Sequence, residues 1–314
     1  MHEQSIRTVV VTGASGLLGR AVMAALQEQQ QRLGIRVIGT AFSRSTGDLV
    51  KLDLTDVAET ERFLFELKPS AIIHCAAERR PDVAERDRDG VLRLNVETSG
   101  ALARIAKDIN AWLLYISTDY VFDGTQPPYE VTATPNPLNF YGLSKQQGEV
   151  AVAAANSDAA ILRVPVLYGH THYFAESAVN ILLDLVISSK PAKMDHVQAR
   201  FPTNVADVAN VILQMLERVQ DKDRAPRGIY HFSASEQMSK YDMCVRLGTI
   251  HGTDVGHITP VTVLPPGEAV ATRPLNAQLS NSKLIQEGFD ISHVKYDDWW
   301  KTHLNHELAV NQRQ

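Results

Sequence analysis

The sequence predicts an α/β protein: a doubly wound parallel sheet with helices on both faces, followed by a smaller C-terminal lobe. Three observations carry this. Short apolar, β-branched runs alternate with stretches of helical periodicity through the first 165 residues. A glycine turn follows the first of those runs directly. After Pro165 the alternation loosens and proline-rich turns break the pattern.

The elements follow in order. Residues 8–12, 36–41, 71–76, 112–117 and 159–164 read as buried strands. Residues 17–30, 57–67, 95–109 and 137–155 carry apolar side chains at helical spacing, and Asp56 is placed to cap the helix at 57. Strict alternation of this kind places ligands outside the carboxyl ends of the strands. Later, residues 177–188, 204–219 and 240–252 read as helices, and 228–232 and 258–263 as short strands. The division is therefore residues 1–165 for the first domain and 166–314 for a smaller α/β lobe interleaved with it, closing the crevice. Pro265-Pro266-Gly267 and Arg273-Pro274 mark loops, and the last ten residues are expected to fray.

Composition narrows the class. Apolar residues make up 44% of 314 and charged residues 21%, enough for a sizeable globular core. Net charge is −5 with acids and bases interspersed, so nothing points to nucleic acid. Cys75 and Cys244 stand far apart within apolar patterns and read as buried thiols of a reducing compartment. No segment resembles a signal peptide or a membrane span, so a cytoplasmic location is expected.

The glycine turn, Thr12-Gly13-Ala14-Ser15-Gly16-Leu17-Leu18-Gly19, gives each glycine a reason. Gly13 permits the tight turn, Gly16 lets the backbone approach a phosphate, and Gly19 lets the helix lie close on the strand. Free N–H groups at the start of the Leu17 helix then face a pyrophosphate. This is the Rossmann-type arrangement for a dinucleotide. An acid at the end of the second strand would bind ribose hydroxyls. Here the run is Phe42-Ser43-Arg44, with a guanidinium instead. Arg44 reads either as a clamp on a 2′-phosphate, helped by Ser43, or as a solvated loop residue; the first makes the cofactor NADP(H). Asp53 and Leu54 are placed to meet the adenine edge, though Asp53 reads equally as a cap for the helix that follows, where Asp56 is the better candidate. Cys75 and Ala76 end a strand at the crevice. Arg79, in the charged run 78–82, reads as an anion contact as readily as a solvated loop residue.

A second set of residues carries proton chemistry. Tyr141 and Lys145 are four apart on a helix and share a face. An ammonium beside a phenol lowers its pKa, and Thr118 at a strand end can bind the same substrate oxygen. Lys145 can also hold the nicotinamide ribose. His170 and His172 lack companions at ligand spacing, so no metal is expected. His74 and His231 read as satisfied core or crevice groups, and Trp299-Trp300 as packing or a contact surface.

These residues resemble the extended short-chain dehydrogenase/reductases. The run 117–124, Tyr141-Gly-Leu-Ser-Lys145 and Arg273-Pro-x-Asn276 resemble the dTDP-4-dehydrorhamnose reductase branch. The runs 74–83, 194–203, 176–179 and 236–241 are similar to the beta, regulatory subunits of methionine adenosyltransferase, over about residues 6 to 285. The resemblance implies a cytoplasmic NADP(H)-binding protein in a hetero-oligomer with the catalytic subunit that makes S-adenosylmethionine. It implies cofactor contacts at residues 15–18 and 42–44, and at Asp53, Leu54, Cys75, Arg79, Tyr141, Lys145 and Leu167. Two features depart from the family pattern: Ser43 replaces a basic residue, and the tail 304–314 differs. The alternative is a working reductase acting on a nucleotide-linked 4-keto sugar, with Thr118, Tyr141 and Lys145 catalytic.

Overall fold

A computed structural model describes residues 7–44, 47–188, 190–221, 223–263 and 271–311. The expected 265–267 loop lies outside them. The strands are β1 (Arg7–Thr12), β2 (Ile35–Ala41), β3 (Val50–Lys51), β4 (Ala71–His74), β5 (Trp112–Thr118), β6 (Ala160–Val164), β7 (Leu167–Tyr168), β8 (Ala192–Asp195), β9 (Thr203–Asn204), β10 (Gly228–His231) and β11 (Ile258–Val261). The helices are α1 (Leu17–Leu33), α2 (Val57–Leu67), α3 (Pro81–Ala84), α4 (Arg88–Leu92), α5 (Thr98–Asp108), α6 (Phe140–Ala155), α7 (Ile181–Ser188), α8 (Val205–Arg218), α9 (Lys240–His251), α10 (Ser282–Gln286) and α11 (Tyr296–Asn311).

Seven strands form one parallel sheet in the order β10-β6-β5-β4-β1-β2-β3. Its central strands are apolar on both faces: Val9, Val10, Val11, Ile72, Ile73, Leu113 and Leu114 are wholly buried. One face packs α1 and α8, the other α2 and α5. The order reverses between β1 and β4, which opens a crevice at their carboxyl ends. A third core joins α7, α9, α11, β8 and β11 beside the sheet.

Differences from the sequence reading have local causes. β10 was expected in the later lobe, but it pairs with β6 and completes the main sheet. The helix expected from 137 begins at Phe140, because the Asn139 side chain caps it by accepting from Gly142 N–H at 2.9 Å. The helix expected from 177 begins at Ile181, because the Ser177 hydroxyl accepts from Val179 and Asn180 and holds a turn. The helix expected over 95–109 opens with a π-turn at Arg93–Glu97. The last helix, α11, has no counterpart in the sequence reading; Tyr296, Trp300 and Leu304 bury one face of it at i, i+4 and i+8. Trp299-Trp300 is therefore packing.

One buried ion pair fixes the helix that matters most. Arg163 on β6 and Glu149 on α6 form a two-pronged bond at 2.8 and 2.6 Å, with side chains 1% and 5% exposed. His231 of β10 lies 3.2 Å from Arg163 Nη1, and the guanidinium lies 5.0 Å from the Phe122 ring centre. Tyr141, Lys145 and Glu149 follow at four-residue steps, so this pair sets which face α6 turns to the crevice. Replacing Glu149 by Gln leaves a buried guanidinium uncompensated. Urea denaturation should show a loss of about 3–5 kcal/mol; an unchanged midpoint would remove this role from the pair.

Candidate functional site: a dinucleotide crevice

The carboxyl ends of β1, β4, β5 and β6 open onto a cavity of about 600 Å³. Gly13, Ser15, Gly16, Leu17, Leu18, Gly19, Phe42, Ser43, Arg44, Asp53, Leu54, Cys75, Ala76, Arg79, Thr118, Tyr141, Lys145 and Leu167 all line it. The chain thus gathers in one crevice residues spread over about half its length.

The glycine turn is forced by close packing. Gly13 has φ +65°, and a Cβ there would come within 2.7 Å of the Ala76 backbone. A Cβ on Gly19 would come within 2.2 Å of Gly13 O. Gly16 is the N-cap of α1 and offers no side-chain acceptor, and the first turn holds no acid. The opening amides of α1 therefore face the cavity side of the turn without a built-in anion, which suits a phosphate. Nearby, the buried Thr40 hydroxyl has no hydrogen-bond partner among the described residues.

Arginines gather at the outer end. Arg20 donates to both carboxylate oxygens of Glu176 at 2.7 Å, and Arg44 Nη1 donates to Glu176 Oε1 at 3.2 Å. Arg79 donates to the Glu176 carbonyl. Burial pushes the Glu176 carboxyl up, but Arg20, the His172 N–H and Arg44 together hold it below the usual range. Three guanidinium groups thus gather on Glu176, two on its carboxylate and one on its backbone carbonyl. Among the described residues Arg44 leaves most of its N–H groups without a partner, and it is half exposed. Neither alternative weighed for Arg44 included this partner. Asp53, by contrast, turns its carboxylate onto Thr55, accepting from its N–H and hydroxyl at 2.9 and 2.7 Å, while Asp56 caps α2 as expected.

The inner end holds the proton-transfer groups. Burial raises the Tyr141 phenol well above its ordinary pKa, eased by a hydrogen bond with Thr118. Lys145 is drawn down to about 7 by burial, with Glu149 and Cys75 opposing. Its Nζ lies 4.0 Å from the Tyr115 ring centre. The expectation that Lys145 lowers the Tyr141 pKa therefore fails in this arrangement. Burial of both groups dominates, and a half-discharged lysine is a weak electrostatic partner. Cys75 is pushed up to about 12 by burial, so it is an inert thiol. His74 is drawn down to about 3 by burial and then by Lys145; it bonds Thr12 and Ser99 as a core group.

Sequence reading missed several supports. Asn95, in the π-turn, accepts from Glu78 N–H and donates to Glu78 O and to the Ser144 hydroxyl, each at 3.0 Å. It thereby ties the Arg79 loop to α6. Asp119, beside Thr118 in the sequence, is pushed up to about 7 by burial against the Thr118 hydrogen bond and the Arg200 charge. Its position one residue past a strand end was a usable signal. Among the described residues no three His, Cys, Asp or Glu side chains cluster closely enough to hold a metal ion. Nor is any helix among them long and apolar enough to cross a membrane.

Asp119 gives a pH test. With a folded pKa of about 7 against 3.8, the folded chain holds one proton more than the unfolded chain between those values. Its contribution to stability is thus present at low pH and falls as pH rises. The stability of the parent relative to Asp119→Asn should fall by at most about 1.4 kcal/mol per pH unit from pH 4 to 7 in urea titrations. A flat difference would place the Asp119 pKa in the ordinary range, and a rising one would place it below that range.

The family model for the RmlD substrate binding domain matches residues 7–309. The methionine adenosyltransferase 2 subunit beta of Xenopus tropicalis is 47% identical over 283 residues, covering 90% of this chain and 83% of that protein. A dTDP-4-dehydrorhamnose reductase structure from Clostridium acetobutylicum aligns with a TM-score of 0.81 at 30% identity, over 96% of this chain and 99% of that one. The Bacillus anthracis dTDP-4-dehydrorhamnose reductase, solved in complex with NADP, also gives 0.81, at 27% identity and the same coverage. With the fold, the crevice and these relatives in agreement, the chain belongs to the RmlD substrate-binding family and, within it, to the methionine adenosyltransferase beta subunits.

Proposed function

We propose that this protein is a non-catalytic regulatory subunit. It binds NADP(H) in the crevice, associates with the catalytic subunit of methionine adenosyltransferase, and modulates S-adenosylmethionine synthesis in the cytoplasm, as part of one-carbon metabolism. The observation that carries this is the 47% identity over 90% of the chain to a beta subunit.

The residues fit the cofactor. The amides of Ser15–Gly19 would take the pyrophosphate, Arg44 with Ser43 the 2′-phosphate, and Asp53 and Leu54 the adenine end. Tyr141 and Lys145 would hold the nicotinamide ribose, and Leu167 and Cys75 would add further cofactor contacts. The surplus of guanidinium over carboxylate around Glu176 favours the extra phosphate of NADP(H) over NAD(H). Residues 1–165 carry most of this site, and the lobe from 166 to 314 closes it through the Leu167–Glu176 strap.

One observation favours a second reading, an NADPH-dependent reductase of a nucleotide-linked 4-keto sugar. The cavity runs past Tyr141 to Asp119, Arg200, Lys240 and Arg273, leaving room for a further ligand. When bound, NADPH would supply the hydride for such a reduction. Tyr141, protonated at neutral pH by its raised pKa, gives the oxygen its proton, and Thr118 orients that oxygen.

The test is a titration of the purified chain against a catalytic methionine adenosyltransferase subunit, with and without NADP+. Submicromolar binding with NADP+, weaker by roughly fivefold or more without it, is the expected result. No binding with both proteins folded, together with NADPH oxidation by dTDP-4-dehydrorhamnose, would put the reductase in front.

A further inference from the structure

Glu176 lies behind the cofactor end of the crevice. Two of the arginines that meet it, Arg44 and Arg79, line the cavity. We propose that the Glu176 carboxylate is a built-in competitor for the 2′-phosphate. It holds Arg44 until a phosphorylated dinucleotide draws that guanidinium away, and so sets how strongly the crevice prefers NADP(H) to NAD(H). The proposal rests on the reading that the crevice takes a dinucleotide, and deepens it by naming the residue that tunes its selectivity.

The carboxylate is fixed and the guanidinium is not. The Glu176 side chain is buried, and Arg20 grips both its oxygens at 2.7 Å. The His172 N–H donates to Oε2 at 3.2 Å. Arg20 is itself pinned by the Ser15 and His170 carbonyls at 2.8 and 3.2 Å. Arg44 reaches Oε1 through Nη1 alone, at 3.2 Å, from a side chain 48% exposed. Among the described residues that guanidinium has no other hydrogen bond or ion pair. A ligand in the cavity can therefore move Arg44, while Glu176 stays where Arg20 holds it.

The fold does not need the Arg44 contact. Arg20 and Glu176 already form a neutral two-pronged pair, and a partly exposed single-pronged bond adds little to stability. The two dinucleotides, however, act on it differently. NAD(H) carries a 2′-hydroxyl, which is too weak an acceptor to take a guanidinium from a carboxylate. NADP(H) carries a phosphate, with more charge and more acceptor oxygens, which can. Burial pushes the Glu176 carboxyl up, but its donors hold it below the usual range, so it competes as an anion at neutral pH. Breaking the contact thus weakens the binding of NADP(H) and leaves that of NAD(H) alone.

Calorimetric titrations of the full chain with NADP+ and with NAD+ test this, in the parent, Glu176→Gln, Arg44→Met and the double variant. Glu176→Gln should raise the ratio of NADP+ to NAD+ affinity by about two- to fivefold, the worth of one partly exposed ion pair. In the Arg44→Met background the same substitution should leave the ratio unchanged, because the contact it relieves is already gone. A strap merely loosened by the substitution would weaken both nucleotides alike. An unchanged or lowered ratio in Glu176→Gln, or an equal rise in the Arg44→Met background, would overturn the proposal. Should Glu176→Gln bind neither nucleotide, crystal structures of the parent decide. Arg44 should stay on Glu176 with NAD+ and turn to the 2′-phosphate with NADP+; one position in both would overturn the proposal. If the parent binds neither nucleotide, the dinucleotide reading falls and this inference with it, whereas binding of both with an unchanged ratio overturns this inference alone.

Discussion

The structure depends on how closely α1 approaches the end of β1. Gly19 lies so near Gly13 that a single Cβ would meet a carbonyl oxygen at 2.2 Å. That contact sets the angle at which the helix leaves the turn. It also aims the uncapped amides of α1 into the gap where the strand order reverses between β1 and β4. A parallel sheet places loops, not side-chain-rich strand centres, at its carboxyl edge. A chain that builds this turn therefore builds an anion-receiving crevice as a by-product of its packing.

Two buried carboxylates give the crevice its walls. Glu149, locked to Arg163, fixes the rotation of α6 and with it Tyr141 and Lys145. Glu176, locked to Arg20, fastens the strap after β7 onto the first lobe and draws Arg44 toward it. The same strap touches the C-terminal helix, since the His170 ring lies 5.4 Å from Trp299 and 4.9 Å from His303. Arg20 also bonds the His170 carbonyl at 3.2 Å. The cofactor end of the crevice and α11 are therefore joined by one continuous set of contacts. Under the proposed regulatory function, these contacts are the path along which a bound nucleotide would influence docking.

What could be read from the sequence was local. The strand, turn and helix of residues 7–33 follow from spacing alone, as do the Asp56 cap and the shared face of Tyr141 and Lys145. What escaped was non-local. The partner of Arg44 is Glu176, 132 residues on, and no pattern within either segment announces the pair. The residues of β10 read as a strand, but their place in the main sheet depends on pairing with β6. Burial depth was equally hidden, and it reverses the sequence argument for the Tyr141 pKa. α11 was a different kind of omission. Tyr296, Trp300 and Leu304 stand at helical spacing in the sequence, so the signal was there.

The central claim is that this crevice is built for a 2′-phosphorylated dinucleotide. Side-by-side calorimetric titrations of the chain with NADP+ and NAD+ at fixed ionic strength test it most directly. The account predicts that NADP+ binds more tightly by about tenfold or more, in keeping with charge-assisted bonds to one extra phosphate. Equal affinities, or tighter binding of NAD+, would contradict it.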